Sequence, residues 1–202
     1  MRPAFEDKYL INNFKNLIKK HNLNRLFETG TWHGLSAKIA SSHIPSVHSV
    51  EVKKEFFEIA KKNNVNSSNI NLYFGTSPTI MSQILEQEDE GWIFFLDAHW
   101  KEDWPLLEEL KVIASKKIKP VIMIHDFFVP DENNNAKFGF DTYEGQKLDL
   151  SYIKNALEEI YGENGYTYYY STEVTLNSGL IYIEPSTASI GLYTSAVLEK
   201  GV

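Results

Sequence analysis

The sequence predicts an α/β domain with a doubly wound, mostly parallel sheet and helices on both faces. Five short apolar segments alternate with four segments whose apolar residues have helical spacing, and this alternation implies right-handed crossovers between parallel strands. A further helical segment and two β-rich segments, separated by a short polar connection, then indicate an antiparallel hairpin. The length of 202 residues fits one domain with a sizeable core.

The spacing of apolar residues sets the predicted elements in chain order. Leu10, Phe14 and Leu17 lie on one side of an N-terminal helix over 6–21. The predicted strands are 25–28, 47–52, 70–75, 92–97, 121–126, 166–171 and 179–184. The other predicted helices are 35–42, 53–63, 78–88, 104–117 and 150–161. Pro105 fits the first turn of its helix, with Asp103 available as the cap.

Composition and charge narrow the class of protein. The formal net charge is −7, so a broad phosphate-binding surface and a nucleic-acid partner are not expected. The chain has no cysteine, which excludes a disulfide scaffold and a thiolate metal site. The first residues lack the apolar core of a signal peptide, and no apolar run is long enough to cross a membrane. We therefore expect a soluble cytoplasmic protein.

A strand end, a glycine turn and a helix start follow one another between Leu26 and Ser36. This order places backbone N–H groups beside the crevice at the carboxyl edge of the sheet. Gly30 permits the turn, and Gly34 would let a ligand approach the backbone closely. The G-x-G-x-x-G pattern of dinucleotide sites is absent, and Glu28 would repel a diphosphate. A ligand with a cationic end, such as the ammonium of a methionine moiety, fits better.

The pattern Glu28-x-Gly30-x-x-x-Gly34-x-Ser36 resembles the first motif of the class I S-adenosylmethionine-dependent methyltransferases. The resemblance covers about residues 25–185 and implies a seven-stranded sheet with its last strand inserted antiparallel. It implies a single domain over 1–202, with a cofactor-binding half at 25–90 and an acceptor-side half at 91–185. The implied cofactor is S-adenosylmethionine, and its implied binding residues are Glu28, Gly30, Thr31, Gly34, Ser36, Glu51, Gly75, Thr76, Ser77 and Asp97.

Two of these implied sites also have a physical rationale in the sequence. Glu51 ends the second strand some twenty residues beyond the glycines, where a carboxylate can accept hydrogen bonds from both ribose hydroxyls. The corner Gly75–Ser77 lines the adenine in the family, and its hydroxyl groups could bind there. A simple turn before Pro78 explains the same corner equally well.

The fourth and fifth strands each end in a carboxylate and an imidazole, namely Asp97 with His99 and His125 with Asp126. Burying unpaired titratable groups is unfavourable, so this set favours a catalytic site. An imidazole with a near-neutral pKa, His99 or His125, could take the proton of a hydroxyl that attacks the sulfonium methyl, with Asp97 beside it. Alternatively, Asp97 and Asp126 could hold Mg²⁺, which would lower the pKa of that hydroxyl.

This pairing resembles the O-methyltransferases related to macrocin O-methyltransferase and cephalosporin hydroxylase, some of which need magnesium. A third acidic ligand is not evident here. The resemblance implies O-methylation of a small-molecule or sugar acceptor. A hydroxylase-like or S-adenosylmethionine-cleaving enzyme on the same fold is one alternative, and a non-catalytic cofactor-binding module is another.

The long segment 127–149 lacks a clear periodicity and follows directly from Asp126. Connections this long are more often functional than accidental, so we hypothesise a lid over the acceptor. A surface loop held on the sheet by Phe138, Phe140 and Tyr143 is the alternative. The weakly apolar tail 186–202 could pack on the core or on a second subunit, so a homo-oligomer remains open.

Overall fold

A computed structural model of the protein describes residues 2–98, 104–186 and 198–200. His99 and Asp103, which carried sequence-based predictions, lie outside these ranges. The strands are β1 Arg25–Thr29, β2 Ser46–Glu51, β3 Ile70–Phe74, β4 Trp92–Leu96, β5 Val121–Ile124, β6 Thr142–Tyr143, β7 Gln146–Lys147, β8 Tyr166–Ser171, β9 Ile181–Pro185 and β10 Leu198–Lys200. The helices are α1 Lys8–His21, α2 Leu35–Ala40, α3 Lys54–Asn63, α4 Ser77–Ile84, α5 Leu106–Ser115 and α6 Leu150–Tyr161, with a 3₁₀ turn at Ala4–Glu6.

The main sheet has the strand order β3-β2-β1-β4-β5-β9-β8-β10. The five strands β3-β2-β1-β4-β5 run parallel to their neighbours in the sheet. The strand β9 is inserted antiparallel between β5 and β8. The seven predicted strands are therefore all present, and the expected antiparallel insertion is confirmed. The short strand β10, which lies in the predicted tail, adds an antiparallel edge beside β8.

Both faces of the sheet are covered by helices, as a doubly wound sheet requires. Alternate residues of β4 belong to different clusters of the core, because successive side chains of a strand point to opposite faces. Phe94 packs in the cluster that includes α5 and α6, whereas Ile93 and Phe95 pack in the cluster that includes α1 and α2. All three side chains are completely buried.

Capping residues fix several helix ends close to their predicted positions. The carboxylate of Asp7 accepts hydrogen bonds from the backbone N–H groups of Tyr9 and Leu10 at the start of α1. Asp149 similarly caps α6, which has its predicted bounds. The predicted helix 78–88 is shorter, because Leu85 already has an extended backbone. Within the described residues, no helix combines the length and apolar character needed to cross a bilayer.

The segment 127–149 contains the two-stranded hairpin of β6 and β7, which the sequence did not predict. The Phe127 N–H donates a hydrogen bond to the Gly179 carbonyl, which attaches the segment to the domain, and the Phe128 N–H donates to the Leu148 carbonyl, which joins the two ends of the segment. The Phe128 and Phe140 rings meet edge to face at 5.0 Å. The hairpin also places the ring of Tyr143 on Trp104, at a centroid distance of 5.4 Å.

Candidate active site

The carboxyl ends of β2, β1, β4 and β5 lie side by side at one edge of the sheet. The chain runs outward from β1 through β2 to β3, and then returns to β4 on the other side of β1. A reversal of this kind creates a crevice where open α/β sheets bind their ligands. Glu51, Gly30, Asp97 and His125 end or directly follow these four strands. The structure therefore brings the predicted residues of both halves to one edge.

The turn after β1 packs tightly against the end of β4. Gly30 has a φ of +81°, and a Cβ atom there would lie 2.7 Å from the carbonyl oxygen of Asp97. Any other residue would force the two chain segments apart. The Thr29 hydroxyl oxygen accepts a hydrogen bond of 3.2 Å from the Asp97 N–H. These contacts fix the backbone of Asp97 relative to the glycine turn.

Glu28 is a buried acid beneath the crevice, with 1 % of its surface exposed. It accepts a hydrogen bond of 2.5 Å from the Ser49 hydroxyl, which lies 2.6 Å from the Thr31 hydroxyl. Burial raises the pKa of Glu28 to about 8, since the charges of Asp97 and Glu51 add to burial and outweigh the Ser49 hydrogen bond. Glu28 is therefore mostly protonated at neutral pH, and a cationic ligand beside it would favour its ionised form.

Glu51 is held rigidly at the end of β2. Its two carboxylate oxygens accept hydrogen bonds from the backbone N–H groups of Trp32 and Lys53, at 2.7 and 2.8 Å. Its exposed fraction is 6 %. Each carboxylate oxygen can accept a second hydrogen bond. The sequence-based prediction that Glu51 binds ribose hydroxyls is therefore compatible with its environment.

Gly34 and Ser36 make contacts within the protein that the sequence did not indicate. A Cβ atom on Gly34 would lie 2.4 Å from the side-chain nitrogen of Asn64, and its φ is +71°. Packing against α3 therefore requires glycine there, whether or not a ligand approaches. The Ser36 hydroxyl oxygen accepts a hydrogen bond of 2.9 Å from the Ala4 N–H. This contact attaches α2 to the N-terminal segment.

The hydroxyl groups of the corner after β3 form hydrogen bonds within the protein. The Ser77 hydroxyl donates a short hydrogen bond to Glu109, a residue of α5 with 1 % of its surface exposed. Thr76 lies at the N-terminus of α4, where its hydroxyl donates to Thr79 at 2.8 Å. Gly75 joins β3 to this corner, and its N–H donates to the Glu51 carbonyl. The binding of adenine by this corner remains a prediction. The Ser77 hydroxyl already forms a hydrogen bond between α4 and α5.

Asp97, His125 and Asp126 form a compact charged cluster on the β4 and β5 side of the crevice. The Nδ1 atom of His125 lies 3.0 Å from Asp97 Oδ1 and 3.4 Å from Asp126 Oδ2. Burial alone would lower the pKa of His125, but the charges and hydrogen bonds of both carboxylates raise it well above its usual value. Asp126 has a lowered pKa, because its interaction with His125 exceeds the opposing effect of burial. The Ser178 hydroxyl also donates to Asp126.

The raised pKa favours the protonated form of His125. A protonated imidazole has no lone pair, so His125 would have to lose its proton before it could act as a general base. The sequence alone indicates an unperturbed ring, because the pairing with two carboxylates depends on the register of neighbouring strands. The catalytic role of His125 stays a prediction. His99, the other candidate base, lies outside the described residues.

The same cluster is the set of described residues whose donor atoms could hold a metal ion. One ligand atom from each of Asp97, His125 and Asp126 lies within 4.8 Å of the others. The two carboxylates suit Mg²⁺, whereas the imidazole is more typical of transition metals. A metal would also have to replace the proton on His125 Nδ1. The cluster therefore offers two carboxylates and one imidazole but no third acidic ligand, and the metal stays a prediction.

Sequence reasoning missed two hydroxyl residues that support the acids. Ser49 faces Glu28 directly in the register of β1 and β2. Ser178 comes from the connection before β9 and reaches Asp126 because β9 pairs with β5. A serine on a buried, apolar strand was the available signal for Ser49. No local pattern indicates Ser178.

No protein-family model matches the sequence, and no curated protein matches it either. Solved structures do resemble the fold. A candidate caffeoyl-CoA O-methyltransferase from Staphylococcus aureus has a TM-score of 0.60 at 15 % identity, over 88 % of this chain and 83 % of its own. For a candidate O-methyltransferase from Klebsiella pneumoniae the TM-score is 0.58 at 16 % identity, over 87 % and 80 %.

A third similar structure contains a bound ligand. It is a candidate methyltransferase from Streptococcus mutans in complex with S-adenosylhomocysteine, with a TM-score of 0.54 at 15 % identity. The similarity covers 92 % of this chain and 99 % of that one. At such identities the likeness concerns the fold alone. Together with the strand order and the inserted antiparallel strand, it shows that this chain has the fold of the class I S-adenosylmethionine-dependent methyltransferases.

Proposed function

We propose that this protein is an S-adenosylmethionine-dependent methyltransferase that methylates a hydroxyl oxygen of a small molecule or sugar. The observation that carries the proposal is the meeting of two sets of groups in one crevice. Glu28, Gly30 and Glu51 are suited to the cofactor, and the cluster of Asp97 and His125 directly adjoins them. The contact of Gly30 with the Asp97 backbone joins the two sets.

The cofactor side is supported by the charge and rigidity of its acids. Glu51 is held by two backbone N–H groups and offers its remaining lone pairs to the ribose. Glu28 lies beneath the glycine turn, close enough to Asp97 and Glu51 for their charges to raise its pKa. The ammonium and sulfonium groups of S-adenosylmethionine would add positive charge beside these acids. A dinucleotide phosphate would add further negative charge.

On the acceptor side, the reaction needs a group that takes a proton. The acceptor oxygen attacks the methyl carbon, the carbon–sulfur bond breaks, and its electron pair stays on sulfur. The hydroxyl proton must leave as the oxygen attacks. We assign the orientation of that hydroxyl and the acceptance of its proton to Asp97 and Asp126, whose carboxylate oxygens lie 3.0 and 3.4 Å from His125 Nδ1. A divalent cation bound by Asp97, His125 and Asp126 would instead lower the pKa of the hydroxyl.

We also propose that segment 127–149 covers the acceptor. It begins one residue after Asp126, and its hairpin places Tyr143 on Trp104, just before α5. Trp104 lines a small cavity with Leu96 and Ala98, the residues on either side of Asp97. An aromatic cover here would exclude water from the transferring methyl group. The net charge of −7 supports a small acceptor rather than a nucleic acid.

Product analysis tests this function. The protein is incubated with S-adenosylmethionine and a panel of hydroxylated small molecules and sugars, with and without Mg²⁺, and products are identified by mass spectrometry. We expect S-adenosylhomocysteine together with an acceptor that has gained one methyl group. Cleavage of the cofactor without a methylated acceptor would favour a cofactor-cleaving enzyme. Binding of the cofactor without turnover of any acceptor would favour a binding module.

A further inference from the structure

The glycine turn after β1 contains a tryptophan whose backbone conformation favours glycine. Trp32 has a φ of +47°, in the left-handed region where a Cβ atom is crowded. Eight other non-glycine residues in the described ranges have positive φ, and all of them are Asn, Asp, Glu or Lys. A bulky aromatic residue is therefore unusual at such a position. Strained residues of this kind are retained where the side chain or the backbone has a function.

Several contacts hold Trp32 in this conformation. Its backbone N–H donates to Glu51 Oε2 at 2.7 Å, so its Cα atom lies next to that carboxylate. Its indole ring stacks on the ring of His33, with centroids 4.0 Å apart and planes 13° apart. The His33 ring in turn meets the edge of Phe56 from α3 at 5.7 Å. The three rings form an aromatic cluster beside Glu51, and Phe56 supports this cluster from α3.

The Trp32 side chain is half-buried, so part of it is available to a ligand. A ligand bound by the Glu51 carboxylate necessarily lies beside the Trp32 backbone, because the two residues share a hydrogen bond. The flat ring can cover a sugar or a base at little entropic cost, since its conformation is already fixed by His33. Glycine would satisfy the backbone without strain but would offer no such surface.

We infer that Trp32 is a cofactor-binding residue whose indole packs against the nucleoside of S-adenosylmethionine and holds its ribose on Glu51. This inference rests on the proposed function, because it assumes that Glu51 binds the cofactor ribose. It adds a specific residue to that site and explains why the turn keeps a strained aromatic side chain. If Trp32 only packed on the surface of the protein, its replacement by glycine would leave ligand binding unchanged.

Calorimetric titration of the Trp32→Gly variant with S-adenosylhomocysteine tests this inference. The matched control is Lys117→Gly, because Lys117 is exposed, has a φ of +56° and lies between α5 and β5 at the opposite edge of the sheet. Both substitutions relieve a left-handed backbone. We expect both variants to keep the wild-type circular dichroism spectrum. The Kd should rise at least tenfold for Trp32→Gly and stay within twofold for Lys117→Gly.

The outcomes separate this inference from the function on which it rests. Binding to Trp32→Gly with the wild-type Kd would overturn the role of Trp32 and leave the proposed function standing. Failure of the wild-type protein to bind S-adenosylhomocysteine would overturn the proposed function itself.

A second variant tests the same inference if Trp32→Gly does not fold. Trp32→Phe keeps a flat ring, so its Kd should stay within about threefold of wild type. It removes the indole, however, so the change in tryptophan fluorescence on ligand binding should largely disappear. A fluorescence change of wild-type size in Trp32→Phe would place the ligand beside another tryptophan and contradict the inference.

Discussion

Asp97 and His125 lie at the ends of adjacent parallel strands, with Oδ1 of Asp97 3.0 Å from Nδ1 of His125. The pair is largely shielded from solvent, since 24 % of the Asp97 side chain and 14 % of the His125 side chain are exposed. The Oδ2 atom of Asp126 lies 3.4 Å from the same nitrogen. This arrangement raises the pKa of His125 well above its usual value and lowers the pKa of Asp126 at the acceptor side of the crevice.

Substituting Asp97 should lower the pKa of His125. Asp97→Asn removes the charge that contributes most to the raised pKa and leaves the opposing effect of burial in place. We expect the imidazole to titrate at a lower pH in the variant, as measured by NMR of the labelled ring. Glu132→Gln, an exposed change in segment 127–149, should leave the titration unaltered. An unchanged His125 titration in Asp97→Asn would mean that the pair does not form.

Glu28→Gln should stabilise the protein at alkaline pH. Because the pKa of Glu28 is raised to about 8 in the folded protein, the folded state binds more protons than the unfolded state between about pH 4.5 and 8. The buried Glu28 carboxyl therefore lowers the free energy of unfolding progressively as pH rises through this range. Gln can still accept the Ser49 hydrogen bond. We expect a gain of about 1–3 kcal/mol at pH 9 and little gain at pH 4 in denaturant unfolding.

The same variant should lose affinity for the cofactor, because Gln cannot balance a cationic ligand. The exposed Glu86→Gln is its matched control and should change neither property. A stability gain for Glu28→Gln that is equal at pH 4 and pH 9 would contradict the raised pKa. Unchanged affinity for S-adenosylmethionine would contradict the proposed role of Glu28 in the site.

The sequence was sufficient for the architecture because the alternating apolar segments are local signals. It also identified the strand ends of the crevice, since Gly30, Glu51 and Asp97 each follow an apolar run. It could not reveal which of these groups interact. The approach of Gly30 to the Asp97 carbonyl depends on β1 pairing with β4, which is distant in sequence.

The sequence could not predict the raised pKa of His125 either, because it also depends on contacts between residues that are distant in sequence. The contact of His125 with Asp97 depends on the register of β4 and β5. The hydrogen bond from the Ser77 hydroxyl to Glu109 depends on how α4 and α5 pack. The hairpin of β6 and β7 was missed because two-residue strands are too short to show an alternating pattern.

Chelation should abolish methyl transfer if a divalent cation activates the acceptor. Asp97, His125 and Asp126 would hold the ion, so excess chelator should reduce activity to background and added Mg²⁺ or Mn²⁺ should restore it. Binding of S-adenosylhomocysteine should change little under the same treatment, which serves as the control. Full turnover in excess chelator would exclude the metal and leave Asp97 or Asp126 to accept the proton directly.

Removing the contact between Tyr143 and Trp104 should impair use of the acceptor. Tyr143→Ala deletes the aromatic pair that joins the hairpin to Trp104, just before α5, and such pairs contribute about 0.5–1.5 kcal/mol. We expect the KM for the acceptor to rise about fivefold, while the Kd for S-adenosylhomocysteine stays unchanged. Tyr143→Phe keeps the ring and should behave as wild type. Wild-type acceptor kinetics in Tyr143→Ala would argue that segment 127–149 is only a surface loop.

Calorimetric titration of the wild-type protein with S-adenosylhomocysteine, and separately with NAD, identifies the ligand of this crevice. We predict saturable binding of S-adenosylhomocysteine, a matching rise in melting temperature, and no binding of NAD. Glu51→Ala should weaken the interaction at least tenfold, because it removes the carboxylate that accepts the ribose hydroxyls. Binding of NAD with no heat from S-adenosylhomocysteine would contradict the assignment of this crevice.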